Sequence, residues 1–243
     1  MQKKIKNRYN KAFTLPEVLM TLGIIGIVAI MTIPALTQNL QHRDTVVRVQ
    51  KYQEVLNSAI KRYANDNYCV DDLSKCDAFV GDAQHIQAWN ALKSYFSLTN
   101  GGSSNNSSVM YKWLNGNDWG VEFFDTTNTA TLADGSFIKL LDFGGNCSQD
   151  RSRSNNSPLL YTCAWFLIDI NGHKNPNQVG RDVFAWYITK QGVYPVGMYD
   201  DTSFAYADGA SACSPSGSNT VTPYPGRGEG CTAKVLKENA VNY

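Results

Sequence analysis

The sequence has few of the residues and motifs that common enzymes use. It contains only three histidines among 243 residues, and none of them lies in an H-E-x-x-H metal-binding helix. The nucleophile motif G-x-S-x-G is absent, and the six cysteines form neither a C-x-x-C pair nor a Cys/His pattern with zinc spacing. These absences argue against hydrolytic, zinc-dependent and dithiol redox chemistry, so we expect a protein that is not an enzyme.

An excess of positive charge is also missing from most of the chain. Of the 22 basic residues, five lie in residues 1–12, which contain no acidic residue. The other 17 are outnumbered by 21 acidic residues, a net charge of −4 beyond the leader. A mildly acidic body lacks the basic surface that proteins use to bind phosphate backbones. We therefore expect no nucleic acid partner.

The feature that the sequence does have is one long apolar run, residues 13–36, in which Glu17 is the single charged residue. About 20 helical residues at ~1.5 Å each span the ~30 Å hydrocarbon core of a bilayer. The basic residues before the run favour a cytoplasmic N-terminus and an exported body. The run exceeds the apolar core of about 7–15 residues in a secretory signal peptide, and no A-x-A-like site follows it. We expect it to stay as a membrane anchor.

The junction before this run explains why a charge stands inside it. A cut after the small residue Ala12 would give Phe13 a free amine, four residues from Glu17 on the same helix face. A carboxylate in hydrocarbon costs a few kcal/mol, and an amine on a neighbouring helix would offset that cost. Glu17 is therefore predicted to set the register between assembled helices. Pro16 supports a helix start near Phe13, since proline is tolerated in a first turn.

The stretch "KAFTLPEVLMTLGIIGIVAIMTIPAL", residues 11–36, resembles the N-terminal signature of type IV prepilins and of the pseudopilins of type II secretion systems. The resemblance implies that a prepilin peptidase cleaves between Ala12 and Phe13 and methylates the Phe13 amine. It implies that Glu17 neutralises the Phe13 amine of an adjacent subunit and that Pro34 kinks the helix. The family usually has glycine where this chain has Ala12. The resemblance covers about 25 residues of the chain.

The pattern beyond the apolar run predicts that the same helix continues to about Ala64. We divide the chain into a basic leader (1–12), a transmembrane or filament-core helix (13–36), an amphipathic continuation (37–66) and a globular head (67–243). Apolar residues recur at three- and four-residue spacing in the continuation. This stripe, predicted to pack against the head, consists of Val49, Tyr52, Leu56, Ala59, Ile60 and Tyr63.

The sequence of the head predicts one helix and several strands. Residues 83–96 have helical spacing, and Asp134-Gly135 between two apolar runs predicts a hairpin. Residues 159–170, 182–189 and 192–197 add apolar or aromatic strands, the last a short edge piece. The predicted fold class is α+β and pilin-like, with a long N-terminal helix, membrane-spanning in its first half, packed on an antiparallel sheet of four or five strands. From about Tyr199 we expect a loop.

The cysteines all follow the apolar run, and their even number suggests disulfides in an exported domain. Six cysteines allow 15 pairings. Pairing of sequence neighbours is favoured because short loops close easily, while six buried free thiols are the alternative. The favoured pairs are Cys69–Cys76, Cys147–Cys163 and Cys213–Cys231.

One segment of the head, residues 169–182, has two interpretations. It reads "DINGHKNPNQVGRD" and offers the oxygens of Asp169, Asn171, Asn175, Asn177 and Asp182 between two strands. Calcium binds six to eight oxygens, often in a loop that bears glycine, so a calcium site using Asp169, Asn171 and Asp182 is one interpretation. The other is a polar turn that Asn, Gly and Pro shape without a metal. Beyond this candidate calcium we expect no cofactor.

These observations lead to a structural subunit as the first functional hypothesis. The subunit would sit in the bacterial cytoplasmic membrane with its head exported, and would be processed by the peptidase. It would then join other pilin or pseudopilin subunits in a periplasmic or cell-surface filament, either a type IV pilus or a type II secretion pseudopilus. A filament-tip adhesive or ligand-binding module, and a DNA-uptake pseudopilin, are the alternatives. The aromatics of the head form either a recognition surface or core: Trp113, Trp119, Tyr199, Phe204 and Tyr206.

Overall fold

The computed structural model of the chain describes residues 13–81, 85–99, 109–120, 128–143, 145–204, 213–215 and 226–243. Its helices are α1 (Leu15–Asp66), α2 (His85–Leu92) and α3 (Cys231–Glu238). Its strands are β1 (Tyr111–Lys112), β2 (Asp118–Gly120), β3 (Thr129–Thr131), β4 (Phe137–Asp142), β5 (Thr162–Asp169), β6 (Val183–Thr189) and β7 (Gly192–Pro195). The chain forms two compact units, one up to His42 and one from Arg43. The predicted α+β, pilin-like class is confirmed.

Helix α1 is continuous through Pro34, although proline has no N–H to donate. The hydroxyl of Thr37 donates to the carbonyl oxygens of Ile33 (3.0 Å) and Pro34 (2.9 Å). The helix ends two residues beyond the predicted Ala64, where the Asn67 side chain donates to the Tyr63 carbonyl at 2.8 Å. Tyr68 then takes a left-handed φ of 56°, which α-helical geometry excludes. The predicted kink at Pro34 stays a prediction.

The apolar stripe in the second part of α1 is buried at all six predicted positions. It belongs to one hydrophobic cluster with the inward-facing residues of the sheet, among them Phe166 and Trp186. Polar side chains at the edges of the stripe fix the helix: the Trp186 indole N–H donates to Gln53 Oε1 at 3.0 Å. The Arg48 guanidinium donates to the Ile170 carbonyl at 3.0 Å. The helical spacing of these apolar residues thus correctly predicted the face of α1 that packs on the sheet.

The main sheet is antiparallel with five strands in the order β3-β4-β5-β6-β7, as predicted. Its first hairpin turns at Asp134 and Gly135, whose φ of +87° suits glycine. Asp134 Oδ1 accepts from the Ser136 amide at 3.2 Å, which closes the turn. The Tyr52 hydroxyl donates to Asp134 Oδ2 at 2.7 Å, so the hairpin is also held to α1.

Both faces of the sheet are covered, and alternate residues of its central strands belong to different clusters. Phe166, Ile168 and Phe184 join the cluster that includes α1. Leu167, Ala185 and others belong to a second cluster on the opposite face. A strand buried on both faces reads as a continuous apolar run instead of an alternating one, as β5 and β6 do. We call the face opposite α1 the outer face.

Two helical predictions need correction. The second helix is α only over His85–Leu92 and becomes a 3-10 turn at Lys93–Tyr95; residues 83 and 84 lie outside the described residues. The segment predicted as a C-terminal loop ends in helix α3. The Gly- and Pro-rich composition stops at Gly230, and the following "TAKVLKE" contains good helix formers. Asn239, with a left-handed φ of 52°, ends the helix by donating its N–H to Val235.

Three disulfides tie the second unit together, and each joins neighbouring cysteines: Cys69–Cys76, Cys147–Cys163 and Cys213–Cys231. This is the pairing that the sequence favoured, and no cysteine of the described chain is free. The last disulfide connects residues 213–215 to the first residue of α3. The disulfide thereby attaches this short segment to the buried first turn of that helix.

Candidate functional site

The first candidate site is the start of α1, where Thr14 donates two hydrogen bonds to the side chain of Glu17. The Thr14 amide donates to Glu17 Oε2 at 2.9 Å, and the Thr14 hydroxyl donates to the same oxygen at 2.7 Å. The Val18 amide donates to the Thr14 carbonyl at 3.2 Å. In this arrangement a carboxylate at the third helical position satisfies an N–H that the helix leaves without a partner.

Sequence analysis missed this cap, although its signal was present. Thr14-x-x-Glu17 is the Ser/Thr-x-x-Glu pattern of a capping box before an apolar run. The acid therefore has a partner inside its own subunit as well as the predicted amine of a neighbour. Phe13 precedes the cap and is 86% exposed. Ala12 lies outside the described residues.

The apolar part of α1 up to Leu40 has no partner within the described chain. Leu19 and Ile25 are each 62% exposed, and Ile30 is 76% exposed. Within the described residues this is the one helix long and apolar enough to cross a membrane, judged by length and composition. Its hydroxyls are satisfied by the helix itself: Thr21 donates to the Val18 carbonyl and Thr32 to the Val28 carbonyl, both at 2.9 Å. Such internal bonds let a helix enter an apolar environment without bare polar groups.

The second candidate site is the loop between β5 and β6, where the two predicted carboxylates are deeply buried. Asp169 is 0% and Asp182 2% exposed. The Tyr111 hydroxyl donates to Asp169 Oδ2 at 2.7 Å, and the Asn171 amide donates to Asp169 Oδ1 at 3.2 Å. The Asn177 amide donates to Asp182 Oδ2 at 2.7 Å, and the Gln178 amide to Asp182 Oδ1 at 2.5 Å. The carboxylates therefore shape the loop by binding its backbone.

Among the described residues, neither of these two acids has a cationic partner. None of the ion pairs among the described residues includes Asp169 or Asp182. Burial raises the pKa of Asp169 to about 8, and the nearby charge of Asp182 adds to the rise. Burial likewise raises the pKa of Asp182 to about 6, against the hydrogen bonds from the Gln178 and Asn177 amides. Burial and the neighbouring Asp182 thus favour the protonated form of Asp169 when no cation is bound.

Two amide oxygens of the same loop have no hydrogen-bond partner in the described chain. They are Oδ1 of Asn171 and Oδ1 of Asn177, both closed off from solvent. Asn177 as a whole is 6% exposed, and its side-chain nitrogen donates to Asn175 Oδ1 at 3.3 Å. Buried acceptors without a donor are uncommon. No group of three or more His, Cys, Asp or Glu side chains that could hold a metal occurs among the described residues, so a cation here would depend on amide and carbonyl oxygens.

The loop also joins distant parts of the head. The Lys112 amide donates to the Asn177 carbonyl and the Val179 amide to the Lys112 carbonyl, both at 2.9 Å. The Tyr243 hydroxyl donates to the Gly180 carbonyl. A Cβ on Gly172 would lie 2.6 Å from the Gly135 carbonyl oxygen, so the loop and the first hairpin touch backbone to backbone. Any change in the loop's conformation would therefore reach α1, β1 and the C-terminus.

The candidate aromatics divide between core and surface. Phe204 is 5% exposed and belongs to the outer-face cluster, and Trp113 and Trp119 pack against that cluster. Tyr199 is 72% exposed. Tyr206 lies outside the described residues. Most of these side chains therefore pack inside the molecule.

Comparison with known proteins identifies the first site. Residues 7–33 match the model of the prokaryotic N-terminal methylation motif. This is the prepilin-type cleavage and methylation motif of type IV pilins and pseudopilins, and it implies processing by prepilin peptidase and assembly with other subunits. No curated protein and no solved structure matches the chain.

Proposed function

We propose that this chain is a prepilin-like structural subunit that prepilin peptidase cleaves between Ala12 and Phe13. The mature chain is then assembled through the first part of α1, its exposed apolar residues 15–40, into a type IV pilus or a type II secretion pseudopilus. The exposed apolar surface of this helix part, most of which lies within the matched methylation motif, is the observation that carries the proposal. Lipid covers that surface before assembly, and neighbouring helices cover it in the filament. The product is a polymer, and no reaction is turned over in the head.

Glu17 has a defined part in this proposal. In the single subunit Thr14 supplies two donors to its carboxylate. After cleavage, the methylated amine of Phe13 on an adjacent subunit supplies a positive charge. A charge-assisted hydrogen bond is about twice as strong as a neutral one, and the apolar surroundings strengthen it further. Glu17 thus exchanges Thr14 for the Phe13 amine of the adjacent subunit. This exchange favours the one axial offset between neighbouring helices that brings the two charges together.

The test is incorporation of Glu17 variants into filaments in the cell that produces the protein. Glu17→Gln keeps the shape and the acceptor oxygen but loses the charge. Glu54→Gln is the matched control, because Glu54 lies on α1 in the second unit and is exposed. We expect Glu17→Gln to reduce the sheared-filament fraction roughly tenfold, a coupling of about 1.4 kcal/mol, with unchanged membrane levels. Equal incorporation of both variants would refute the role of Glu17.

A second function, calcium binding in the head, is favoured by the β5–β6 loop. Two buried carboxylates without a counter-cation and two buried amide oxygens without a donor are a set of ligands that a hard cation prefers. A bound divalent cation would replace the proton on Asp169 and compensate both charges. The cation would have to compete with the backbone donors that now bind the carboxylates.

Calcium titration of the full chain in detergent tests this second function. At pH 7.5 we expect calcium to raise the melting temperature of the head, since a ligand that binds only the native state stabilises it. Asp182→Asn should abolish the shift. Asp150→Asn is the control, because Asp150 is exposed and accepts hydrogen bonds only within its own turn. No shift in the parent protein would leave the loop as a metal-free turn.

A further inference from the structure

The outer face of the sheet contains a cavity that neither assembly nor calcium binding uses. It has a volume of about 190 Å³. Its half-buried rim consists of Phe143, Arg151, Trp165 and Arg227, and its buried floor includes Phe204 and Glu229. We call it the outer-face cavity. Ligand pockets for drug-sized molecules occupy ~300–1,000 Å³, while a cavity of ~150 Å³ holds a single benzene ring. The outer-face cavity therefore has room for one substituted six-membered ring.

Polar atoms around the cavity have no hydrogen-bond partner within the described chain. The indole N–H of Trp165 and the Nε–H of Arg151 are donors without an acceptor, and Oε2 of Glu229 is an acceptor without a donor. Glu229 is 0% exposed. Buried polar groups of native proteins are nearly always paired with protein, water or a ligand. Donors and an acceptor together fit an occupant that both accepts and donates, as hydroxyl groups do.

The charges around the cavity are balanced, which argues against a strongly charged occupant. Arg227 forms an ion pair with Glu229 at 3.1 Å. Arg151 lies near Asp201, whose carboxylate is anchored by the amides of Ser203 (2.8 Å) and Phe204 (3.1 Å). Two guanidinium groups thus face two carboxyl groups. Burial raises the pKa of Glu229 to about 7, against the pull of Arg227, so this carboxyl can either accept or donate a hydrogen bond near neutral pH.

The aromatic side chains provide an apolar wall but no cage for a cation. The rings of Trp165 and Phe204 are nearly parallel, with centroids 6.2 Å apart. The Phe143 ring is already covered by the Arg151 guanidinium at 4.9 Å. A second cation would be repelled by that arginine, whereas the apolar face of a neutral ring can pack on the indole.

We propose that the outer-face cavity binds one pyranose-sized unit of a neutral saccharide, with the sugar ring packed on Trp165 and its hydroxyl groups hydrogen-bonded to Glu229 and Arg151. This assigns a chemical class to a ligand of the head. It is independent of filament assembly, because no residue of the cavity belongs to α1. A subunit displayed on a filament would carry the site on the face of the sheet that α1 leaves uncovered.

The test uses the full-length chain in a zwitterionic detergent, since alkyl-glycoside detergents would compete. The probes are the methyl glycosides of glucose, galactose and mannose, and N-acetylglucosamine, up to about 50 mM, because single-ring ligands bind at roughly millimolar Kd. Saturation-transfer NMR reports binding, and tryptophan fluorescence gives the Kd. At least one probe is expected to receive saturation from the protein.

Matched tryptophan variants locate the binding. Trp165→Phe removes the unpartnered indole N–H and shrinks the stacking surface. Trp119→Phe is the control, because Trp119 is also half-buried on the outer face but does not line the cavity. We expect Trp165→Phe to weaken binding by about tenfold or more and Trp119→Phe by less than about twofold. Glu229→Gln should weaken saccharide binding as well. If that variant does not fold, the comparison of Trp165→Phe with Trp119→Phe still tests the proposal. No saturation transfer to any probe, or equal effects of the two tryptophan variants, would overturn the proposal.

Discussion

The two parts of α1 differ in what covers their apolar side chains. Around Ile25 the helix exposes leucine, isoleucine and valine to its surroundings, whereas around Leu56 the same residue types are fully buried against the sheet. Both parts are helical and both are rich in apolar residues. The difference is the partner: the second part packs on its own chain, whereas the first part is exposed in the described chain, and we propose that lipid or other subunits cover it. In this helix the part around Leu56 stabilises the fold of the head, and the part around Ile25 leaves its apolar side chains available for association.

The largest expected effect separates these two parts by substitution. Leu56→Ala removes a fully buried side chain and should lower the free energy of unfolding of the head by about 2–5 kcal/mol. Leu19→Ala, at a position 62% exposed, should change it by less than about 0.5 kcal/mol. Denaturant unfolding of the full chain in detergent, followed by near-ultraviolet circular dichroism of the head, measures both. Similar losses for the two variants would mean that the first part also packs on the chain.

A second prediction concerns the pH dependence of the stability of the head. Asp169 is protonated more readily in the folded head than in the unfolded chain, because its pKa is raised to about 8 from 3.8. A raised acid pKa stabilises the fold at low pH, and this stabilisation is lost as pH rises from about 4 to about 8. Unfolding free energies in calcium-free buffer should therefore fall across this window.

Asp169→Asn is the matched variant for the pH experiment, since the amide is neutral throughout. It should reduce the fall in stability over the same window, to which Asp182 and Glu229 also contribute because burial raises their pKa values, while Asp150→Asn should leave the slope unchanged. A parent protein whose stability rises between pH 4 and 8 would contradict the assignment of an uncompensated buried acid.

The third prediction tests how the second part of α1 is held. Tyr52→Phe removes a hydroxyl that donates to the Asp134 carboxylate and contacts Ser136, so a hydrogen bond to a charged group is lost. The loss should be about 1–3 kcal/mol. Tyr95→Phe, whose hydroxyl donates to Asp66 at the exposed end of the helix, is the control and should cost less. The unfolding midpoints of the two variants measure this difference. A larger loss for Tyr95→Phe than for Tyr52→Phe would show that the Asp134 contact does not hold α1 on the sheet.

The smallest expected effect lies at the start of the first part. Thr14→Val removes the hydroxyl that donates to Glu17 and should destabilise the first turn by about 0.5–1.5 kcal/mol. Thr21→Val is the control, because the Thr21 hydroxyl bonds only to the Val18 carbonyl inside the helix. Amide hydrogen exchange at residues 15–20 in detergent measures the fraying. Faster exchange in the Thr21 variant than in the Thr14 variant would contradict the cap.

Sequence reasoning succeeded where the physical signal is local. The stripe from Val49 to Tyr63 follows from helical periodicity, and the Asp134-Gly135 hairpin follows from turn chemistry. It failed for α3, because the Gly-rich residues before Cys231 masked a short run of good helix formers whose first turn is buried. Nor could it find the environment of Asp169, whose partner Tyr111 lies 58 residues away. The cavity at Trp165 and Glu229 likewise combines side chains from distant segments.

The measurement that tests the central claim most directly is the mass of the N-terminal peptide of the protein recovered from sheared filaments. Assembly through the first part of α1 predicts a chain that begins at Phe13 and carries an added methyl group on its amine. Glu17 then has the charged partner that its position in the apolar run demands. Filaments that contain the uncleaved leader, or a cell that has prepilin peptidase but produces only the intact chain, would contradict the account.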